Sequence, residues 1–287
     1  MAGLSDLLPA VATRFADAGI PTPMVDAELL IGHVLGLSRG ELQARAITGL
    51  EIGAADAAVI DAMVARRAAR EPLQHITGRA WFRSLELEVG PGVFVPRPET
   101  EQVTQIAVDA LLAVASEPPI AVDLGTGSGA IAFSLATEVP NARVWAVEKS
   151  PDAFPWTTRN RERTGATNAT VILGDLANAL HELDGTVDVV ASNPPYIPQE
   201  AIPRDPEVRL HDPELALYGG EDGLDVVRQV SKTALRLLHQ GGILVLEHGE
   251  LQGDDIAALL RADGWVAVAT HQDLLGRDRA TTALRAQ

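Results

Sequence analysis

The strongest constraint on the fold is a regular alternation of strand and helix patterns that begins near residue 120. Short apolar runs predict strands at residues 120–124, 143–147, 170–173, 187–191 and 243–247. Between them, apolar residues at helical spacing predict helices at residues 130–138, about 152–164 and 224–239. Strands that alternate with helices form a parallel sheet covered on both faces. We therefore expect an α/β domain, which residues 265–271 and 280–285 would close as an antiparallel edge. Pro155 should loosen or kink its helix.

The first 76 residues carry a different pattern, which predicts short helices only. Three apolar segments at helical spacing, near residues 4–15, 27–35 and 60–64, are separated by glycine-rich breaks. No set of residues here has an evident chemical role, and His33 lies within an apolar face, where histidine usually packs as a structural residue. We expect residues 1–78 to form a small helical domain that docks a protein substrate.

Residues 79–98 are expected to join this helical domain to a catalytic domain, residues 99–287. Short alternating runs from Trp81 to Val95 surround Gly90-Pro91-Gly92, which predicts a β-hairpin that turns at these glycines. The run Pro96-Arg97-Pro98-Glu99-Thr100-Glu101 follows, and its two prolines should make it stiff and extended. Taken alone, this run could be an interdomain linker that ends in a helix cap.

Charge and composition limit the class of ligand and the compartment. The chain has 39 acidic and 23 basic residues, a formal charge of −16, and nearly all of the excess lies after residue 80. A binder of nucleic acid phosphates normally shows a basic face, so a nucleic acid substrate is disfavoured. Because the chain has no cysteine, we expect neither disulfides nor a metal site built on thiolates. No apolar run approaches the roughly 18 residues that span a bilayer, and the first ten residues lack a signal-peptide pattern. We expect a cytoplasmic enzyme with no membrane partner.

A glycine-rich turn follows the first predicted strand of the sheet. It is Asp123-Leu124-Gly125-Thr126-Gly127-Ser128-Gly129, and its glycines permit a tight turn and a close approach of a ligand to the backbone. Open α/β sheets hold nucleotides at this position. The spacing is G-x-G-x-G and not the dinucleotide G-x-G-x-x-G, so a nicotinamide cofactor is less well supported. A turn with only a structural role is the alternative.

Acidic residues at the ends of the next two strands favour an adenosine-containing ligand. Glu148 ends the second strand, where a carboxylate can accept hydrogen bonds from both ribose hydroxyls, although it could equally be a solvated acid. Asp175 lies at the end of the third strand, where its carboxylate could accept a hydrogen bond from an adenine amino group. The turn and these two residues lie at successive strand ends and therefore predict one ligand.

The segment Asn193-Pro194-Pro195-Tyr196 follows the fourth strand and carries the predicted chemistry. Its prolines make the turn rigid and remove two backbone donors, so its carbonyls stay available. The Asn193 side-chain oxygen and the Pro194 carbonyl then offer two acceptors to one –NH₂ group, and Tyr196 offers an aromatic face to a planar amide or base. The nitrogen of an amide or an aromatic amine is a poor nucleophile, and this pair would orient it for attack on a methyl group. A turn without a chemical role is the alternative.

At these residues the chain resembles the release factor glutamine methyltransferases of the HemK/PrmC type. The resemblance covers most of the chain and includes residues 71–78, 94–101, 123–129, 193–196, 212–217, 219–225, 247–252 and 273–279. The Asn-Pro-Pro-Tyr segment is shared with DNA adenine and some RNA methyltransferases, whereas the run from Arg97 to Glu101 is much more particular to this family. Some positions depart from the family pattern: Glu148 replaces the commoner aspartate, and Leu176 stands where some members carry an aromatic residue. His75 and the helix that contains Pro155 are also less typical.

The resemblance implies a seven-stranded, Rossmann-like class I methyltransferase domain preceded by a helical domain and a hairpin. It implies S-adenosyl-L-methionine as cofactor, S-adenosyl-L-homocysteine as product, and methylation of the glutamine amide N5 in the Gly-Gly-Gln motif of class 1 peptide chain release factors. The implied cofactor-binding residues are Gly125, Thr126, Gly127, Ser128, Gly129, Glu148, Asp175, Leu176 and Asn193. The implied substrate-binding residues are Asn193, Pro194, Pro195 and Tyr196, of which Asn193, Pro194 and Tyr196 would be catalytic.

Two other functions are open at this point. A nucleic acid N6-adenine methyltransferase would use the same four residues on a flipped base, and the acidic charge disfavours it. A catalytically silent scaffold would bind the cofactor alone, and the intact Asn-Pro-Pro-Tyr segment disfavours that.

Overall fold

The computed structural model describes residues 2–287. They divide into two compact units, which we call the helical unit (Met1–Gly78 with Arg204–His211) and the sheet unit (Arg79–Pro203 with Asp212–Gln287). Within residues 2–287, no helix combines the length and the apolar character that crossing a bilayer requires.

The helical unit is built from short amphipathic helices and one pair of two-residue strands. Its elements are β1 (Ala2–Gly3), α1 (Leu4–Asp17), α2 (Pro23–Leu35), α3 (Arg39–Ile47), β2 (Glu51–Ile52), α4 (Ala54–Ala68) and α5 (Leu73–Thr77). Apolar side chains from α1 to α4 form a single core, in which Phe15, Leu30 and Ile60 are fully buried. Ser38 and Glu41 cap the start of α3 reciprocally, which satisfies two backbone donors that the first turn would leave free.

The segment Arg204–His211 joins the helical unit although it lies far along the chain. Glu207 accepts hydrogen bonds from Arg67 Nη1 at 2.7 Å and from Arg70 Nε at 3.1 Å. Arg67 is buried, and its Nε donates to Asp26 Oδ2 at 2.7 Å. A buried guanidinium is tolerated only when it is paired and hydrogen-bonded. The two carboxylates therefore stabilise Arg67, and Glu207 ties its own segment to the unit.

The sheet unit begins with a β-hairpin whose turn the sequence predicted wrongly. The strands β3 (Arg79–Phe82) and β4 (Leu85–Glu88) pair antiparallel, with Phe82 opposite Leu85. Arg83 and Ser84 therefore form the two-residue loop, and Arg83 has a φ of 51°. Tight hairpin loops require such a positive φ. Glycine is the residue that usually adopts it, so an arginine at this position does not indicate a turn. Gly90-Pro91-Gly92 forms a separate turn after β4, closed by a hydrogen bond from Val93 N to Gly90 O.

The rest of the sheet unit alternates helices and strands, as predicted. In chain order the elements are α6 (Pro98–Leu112), β5 (Ile120–Leu124), α7 (Ala130–Glu138), β6 (Arg143–Glu148), α8 (Phe154–Thr164), β7 (Ala169–Leu173), β8 (Val187–Ser192), α9 (Pro206–His211, in the helical unit), α10 (Asp225–Leu237), β9 (Leu238–Glu247), α11 (Gly253–Ala262), β10 (Val266–Gln272) and β11 (Asp278–Leu284). Single 3₁₀ turns occur at His181–Leu183 and Glu214–Ala216.

Seven strands form one sheet in the order β10-β11-β9-β8-β5-β6-β7. Strands β5 to β9 are parallel, and β11 runs antiparallel to both of its neighbours. Two apolar cores cover the two faces: from β5, Ala121 packs into one core and Val122 and Leu124 into the other. The predicted class I methyltransferase sheet with its antiparallel edge is confirmed.

Two boundaries within this domain differ from the prediction. The helix α8 begins at Phe154, so Pro155 lies in its first turn, where a missing N–H is tolerated, and the predicted loosening is wrong. The helix α10 ends at Leu237 and β9 begins at the next residue, five residues earlier than predicted. Residues 239–242 form an irregularity in the pairing with β8, since Val187 pairs with Leu238 and Val189 already with Ile243. The glycines Gly241 and Gly242 thus mark a bulge inside the strand and not a loop before it.

Candidate active site

The carboxyl ends of β5, β8 and β9 lie side by side in the sheet. The register pairs Asp123 with Ala191 and Ser192 with Leu246, and Ser192 Oγ donates to Leu124 O at 2.6 Å. The strand order reverses between β5 and β8, because β6 and β7 continue on the other side of β5. Ligands of open α/β sheets bind at such a reversal point. The glycine turn after β5, the Asn-Pro-Pro-Tyr segment after β8 and Glu247 at the end of β9 therefore share one edge of the sheet.

The glycine turn combines an exposed backbone with a buried acidic support. Gly125 is exposed and has a φ of 78°, and a Cβ added there would meet no atom within 4 Å. Below it, the buried Asp123 Oδ2 accepts hydrogen bonds from Thr126 Oγ1 at 2.6 Å and from Ala132 N at 3.1 Å. Burial raises the pKa of Asp123 to about 7, against the effect of these two hydrogen bonds. Asp123 thus fastens the turn to the start of α7, and the open side at Gly125 has room for a ligand.

The other predicted cofactor-binding residues of this turn differ in how much open space surrounds them. Gly127 also leaves open space around an added Cβ, whereas a Cβ at Gly129 would lie 2.0 Å from the Phe133 ring. Thr126 and Ser128 are buried, and the Thr126 hydroxyl is already bonded to Asp123. The turn therefore offers a ligand mainly the exposed Gly125 and the partly exposed Gly127.

Glu148 is buried at the end of β6, next to the glycine turn. Its Oε2 accepts a hydrogen bond from Gly127 N at 2.7 Å, and its Oε1 accepts one from Ser150 N at 2.7 Å. Burial raises the pKa of Glu148, while these backbone hydrogen bonds oppose the rise. A carboxylate oxygen has two acceptor positions, so each oxygen can still accept from a ligand hydroxyl. These acceptors fit the two ribose hydroxyls of an adenosine.

Asp175 and Leu176 lie beyond the end of β7, the neighbour of β6. Asp175 Oδ2 pairs with Lys149 Nζ at 2.9 Å and its Oδ1 accepts from Ala177 N at 3.0 Å, and the Lys149 hydrogen bond lowers the pKa of Asp175. Leu176 packs into the same apolar core as Trp145 and Val147. A ligand amino group would therefore share the Asp175 carboxylate with Lys149, and Leu176 would offer an apolar edge.

The Asn-Pro-Pro-Tyr segment is held by the glycine-rich loop at residues 219–223. The Ile197 N–H donates to Leu217 O, and Gly219 N donates to Ile197 O, each at 2.9 Å. The Tyr196 carbonyl accepts from Gln252 Nε2 at 2.9 Å. Gly223 approaches this carbonyl so closely that an added Cβ would lie 2.4 Å from its oxygen. The loop thus fixes the backbone that follows Asn193.

Asn193 contacts Thr100 and Glu247, which were not among the predicted site residues. Its Nδ2 donates to Thr100 Oγ1 at 3.3 Å, and the side chains of Asn193 and Thr100 both hydrogen-bond to Glu247. Burial raises the pKa of Glu247 to about 7, and burial together with the Glu247 charge raises the pKa of Tyr196 to about 12. Tyr196 is therefore a neutral phenol at physiological pH. The available sequence signal for Glu247 was its position as a strand-end acid, as for Glu148.

Thr100 reaches Asn193 because the proline-rich run is only partly extended. The helix α6 begins at Pro98, which occupies its first turn, so Thr100 is helical and the predicted extended linker is wrong from that point. Before it, Arg97 Nη2 donates to Asp212 Oδ2 at 2.6 Å and stacks over the Phe94 ring at 4.9 Å. Within α6, Glu101 Oε1 accepts from Arg83 N at 3.0 Å. The run therefore anchors the start of α6 against the hairpin and positions Thr100.

Comparisons with known proteins agree with this architecture. A family model described as PrmC N-terminal domain matches residues 6–78, and one described as Methyltransferase domain matches residues 120–275. A solved methyltransferase from Pyrococcus furiosus superposes with a TM-score of 0.51 at 22% identity, over 71% of this chain and 91% of its own. This structural likeness supports the fold alone.

Three curated relatives indicate which methyltransferases this chain is similar to in sequence. A release factor glutamine methyltransferase of Streptomyces coelicolor is 52% identical over 95% of both chains, and one of Bifidobacterium longum is 47% identical over 96% of this chain and 97% of its own. A 4-amino-L-phenylalanine/4-methylamino-L-phenylalanine methyltransferase of Streptomyces pristinaespiralis is 46% identical, over 70% of this chain and 69% of its own. The first two align almost throughout, the region of the PrmC N-terminal model included. This chain is an enzyme that belongs to the release factor glutamine methyltransferase family.

Proposed function

We propose that this protein transfers a methyl group from S-adenosyl-L-methionine to the side-chain amide nitrogen N5 of the glutamine in the Gly-Gly-Gln motif of class 1 peptide chain release factors. The observation that carries the proposal is the Asn193 amide, fastened by Thr100 and Glu247 beside an exposed glycine turn. The near full-length likeness to proteins named for this activity supports the substrate. Because release factors act in translation, the proposed location is the cytoplasm.

The residues at the glycine turn fit S-adenosyl-L-methionine. The backbone from Gly125 to Gly127 would lie against the cofactor, the Glu148 carboxylate would accept the ribose hydroxyls, and Asp175 and Leu176 would border the adenine. When bound, the cofactor supplies an electrophilic methyl group on its sulfonium. The product would be S-adenosyl-L-homocysteine.

The residues after β8 would prepare the substrate amide. Its two N–H groups would donate to Asn193 Oδ1 and to the Pro194 carbonyl, which turns the nitrogen lone pair towards the methyl group. These acceptors would also stabilise the positive charge that develops on nitrogen. Pro195 would keep the turn rigid, and the uncharged Tyr196 ring would pack against the amide plane. The proposal requires neither a metal ion nor a covalent enzyme intermediate.

The test is methyl transfer to an unmodified release factor. The purified protein is incubated with labelled S-adenosyl-L-methionine and a class 1 release factor, and the product is mapped by mass spectrometry. We expect one added methyl on the Gly-Gly-Gln glutamine and none on a release factor in which that glutamine is replaced. Transfer to DNA or RNA instead would establish the nucleic acid function, and cofactor binding without transfer would establish the scaffold.

One further substrate class belongs in the same assay. The Streptomyces pristinaespiralis relative acts on an aromatic amine, whose nitrogen also has a delocalised lone pair. Offering 4-amino-L-phenylalanine at equal concentration compares the two substrates directly. We expect kcat/KM to favour the release factor, and the reverse order would contradict the proposed substrate.

Replacing Gly125 with alanine is expected to weaken cofactor binding while the fold stays intact. The new Cβ meets no protein atom within 4 Å, but it would occupy the open side of the turn and would strain a φ of 78°. We expect the Kd for S-adenosyl-L-methionine to rise about tenfold, which corresponds to about 1.4 kcal/mol. Isothermal titration measures this change, and the thermal midpoint reports on the fold. An unchanged Kd would place the cofactor elsewhere.

We propose that residues 1–78 dock the release factor. A variant without them should have a KM for the intact release factor about tenfold higher, because a second contact surface is lost, while cofactor binding persists. A short Gly-Gly-Gln peptide serves as the control, since its KM should be the same for both enzymes. An unchanged KM for the intact release factor would refute docking.

A further inference from the structure

Glu247 is a buried carboxylate whose environment a purely structural role does not explain. It is 2% exposed at the end of β9, and within residues 2–287 its Oε2 has no hydrogen-bond partner. Leaving a buried carboxylate oxygen without a partner is costly, so most such groups are paired. Its other contacts are the side chains of Thr100 and Asn193, which both hydrogen-bond to it. The carboxylate is therefore linked to Asn193, the side chain proposed to accept a hydrogen bond from the substrate amide.

The chemistry of the Asn193 side chain makes this link directional. An asparagine amide has an oxygen that only accepts and an NH₂ group that only donates, and the two ends have nearly the same shape. An ionised carboxylate only accepts, so it attracts the Nδ2 end and repels the Oδ1 end. The Thr100 hydroxyl can accept from Asn193 Nδ2 and donate to Glu247, which extends the same preference through a second path. With Nδ2 turned inward, Oδ1 is the end presented to a substrate.

We propose that Glu247 is a positioning residue for the reaction: its carboxylate, directly and through the Thr100 hydroxyl, holds Asn193 in the single orientation that presents Oδ1 to the substrate N–H. This inference rests on the proposed glutamine methylation. Without an ionised Glu247, Asn193 can rotate by half a turn and present Nδ2, a donor that repels the substrate –NH₂ group. Protonated Glu247, or a glutamine in its place, carries a donor of its own and can therefore pair with Asn193 Oδ1.

The charged groups around Glu247 decide the pH range in which this orientation is lost. Arg279 faces it from β11 and favours the ionised form, whereas Glu99 from α6 disfavours it. The neighbouring Tyr196 is neutral, and burial lowers the pKa of His248, which is therefore neutral near pH 7. Burial outweighs these charges and places the pKa of Glu247 at about 7. Because the ionised form is the one that orients Asn193, activity should rise with pH through this range.

The test compares Glu247→Gln with the wild type, using the release factor assay at saturating S-adenosyl-L-methionine. We expect kcat to fall by about tenfold or more, because orientation of the amide is lost, with little change in the Kd of the cofactor. We also expect the wild-type kcat/KM to rise with an apparent pKa near 7, and this inflection to be absent from Glu247→Gln. The pKa of Asp123 is also about 7, so an inflection that persists in Glu247→Gln comes from another group and overturns the proposal.

Two further variants separate orientation from folding. Asp188→Asn removes another buried carboxylate, at the opposite end of β8, and should leave kcat unchanged. Thr100→Val removes the hydroxyl and should lose at least several times more activity than Thr100→Ser, which keeps it. This pair decides the question if Glu247→Gln does not fold. Wild-type kcat in Glu247→Gln, or equal activity of the two Thr100 variants, contradicts the inference, whereas an inactive wild type contradicts the proposed function itself.

Discussion

Replacing Asn193 with alanine should lower kcat by about a hundredfold or more, while the affinity for S-adenosyl-L-methionine changes far less. The methyl group of alanine offers no acceptor, so the substrate –NH₂ loses the Oδ1 partner that orients its lone pair. The residues proposed to hold most of the cofactor lie on other elements: Gly125 directly follows β5, and Glu148 ends β6. The loss should therefore appear in the chemical step, and single-turnover kinetics with a saturated cofactor site measure it.

A matched asparagine variant separates this effect from the general cost of a substitution. Asn141 is exposed in the turn between α7 and β6, and Asn141→Ala should keep the wild-type kcat. Both variants should show similar thermal midpoints. Turnover near the wild-type value in Asn193→Ala would remove Asn193 from the catalytic role, and equal losses of kcat and cofactor affinity would assign it to cofactor binding.

The parallel sheet was predictable because buried parallel strands have a simple sequence pattern. Strands such as β5 and β8 are buried on both faces of the sheet, so their sequences are short continuous apolar runs between turn residues. The hairpin turn was not predictable, since it depends on a positive φ at Arg83, a residue type that rarely adopts it. Gly90 and Gly92, which suggested the hairpin turn, instead form a separate turn after β4. Local composition thus located the strands but not the turn.

The parts of the site that escaped prediction depend on contacts between distant residues. Gly125, Glu148 and Asn193 each follow or end a predicted strand, so the topology of a parallel sheet was enough to bring them to one edge. Thr100 lies 93 residues before Asn193, and they meet only because α6 begins at Pro98. Glu207 lies 140 residues after Arg67, and their pairing assigns Arg204–His211 to the helical unit. Neither contact has a periodicity or a motif that a single sequence displays.

Replacing Gly223 with alanine should reduce kcat on the order of a hundredfold without touching a proposed catalytic side chain. The new Cβ would lie 2.4 Å from the Tyr196 carbonyl oxygen, and ordinary contact begins near 3.4 Å. The Tyr196 backbone must therefore move by about 1 Å, and a misplacement of this size can cost about a hundredfold in rate. Because Tyr196 is only three residues from Asn193, the displacement reaches the acceptors of the substrate amide.

Strain at Gly223 needs its own control, because its φ of 79° disfavours any side chain. Gly165, the cap of α8, has a φ of 69°, and an added Cβ there meets no atom within 4 Å. Both alanine variants should lose about 1–2 kcal/mol of stability from the left-handed conformation. Only Gly223→Ala should lose kcat, with the Kd of S-adenosyl-L-methionine nearly unchanged. Equal kcat values in the two variants would mean that the position of the Tyr196 carbonyl does not control the reaction, and that the Asn-Pro-Pro-Tyr segment works without support from the loop at residues 219–223.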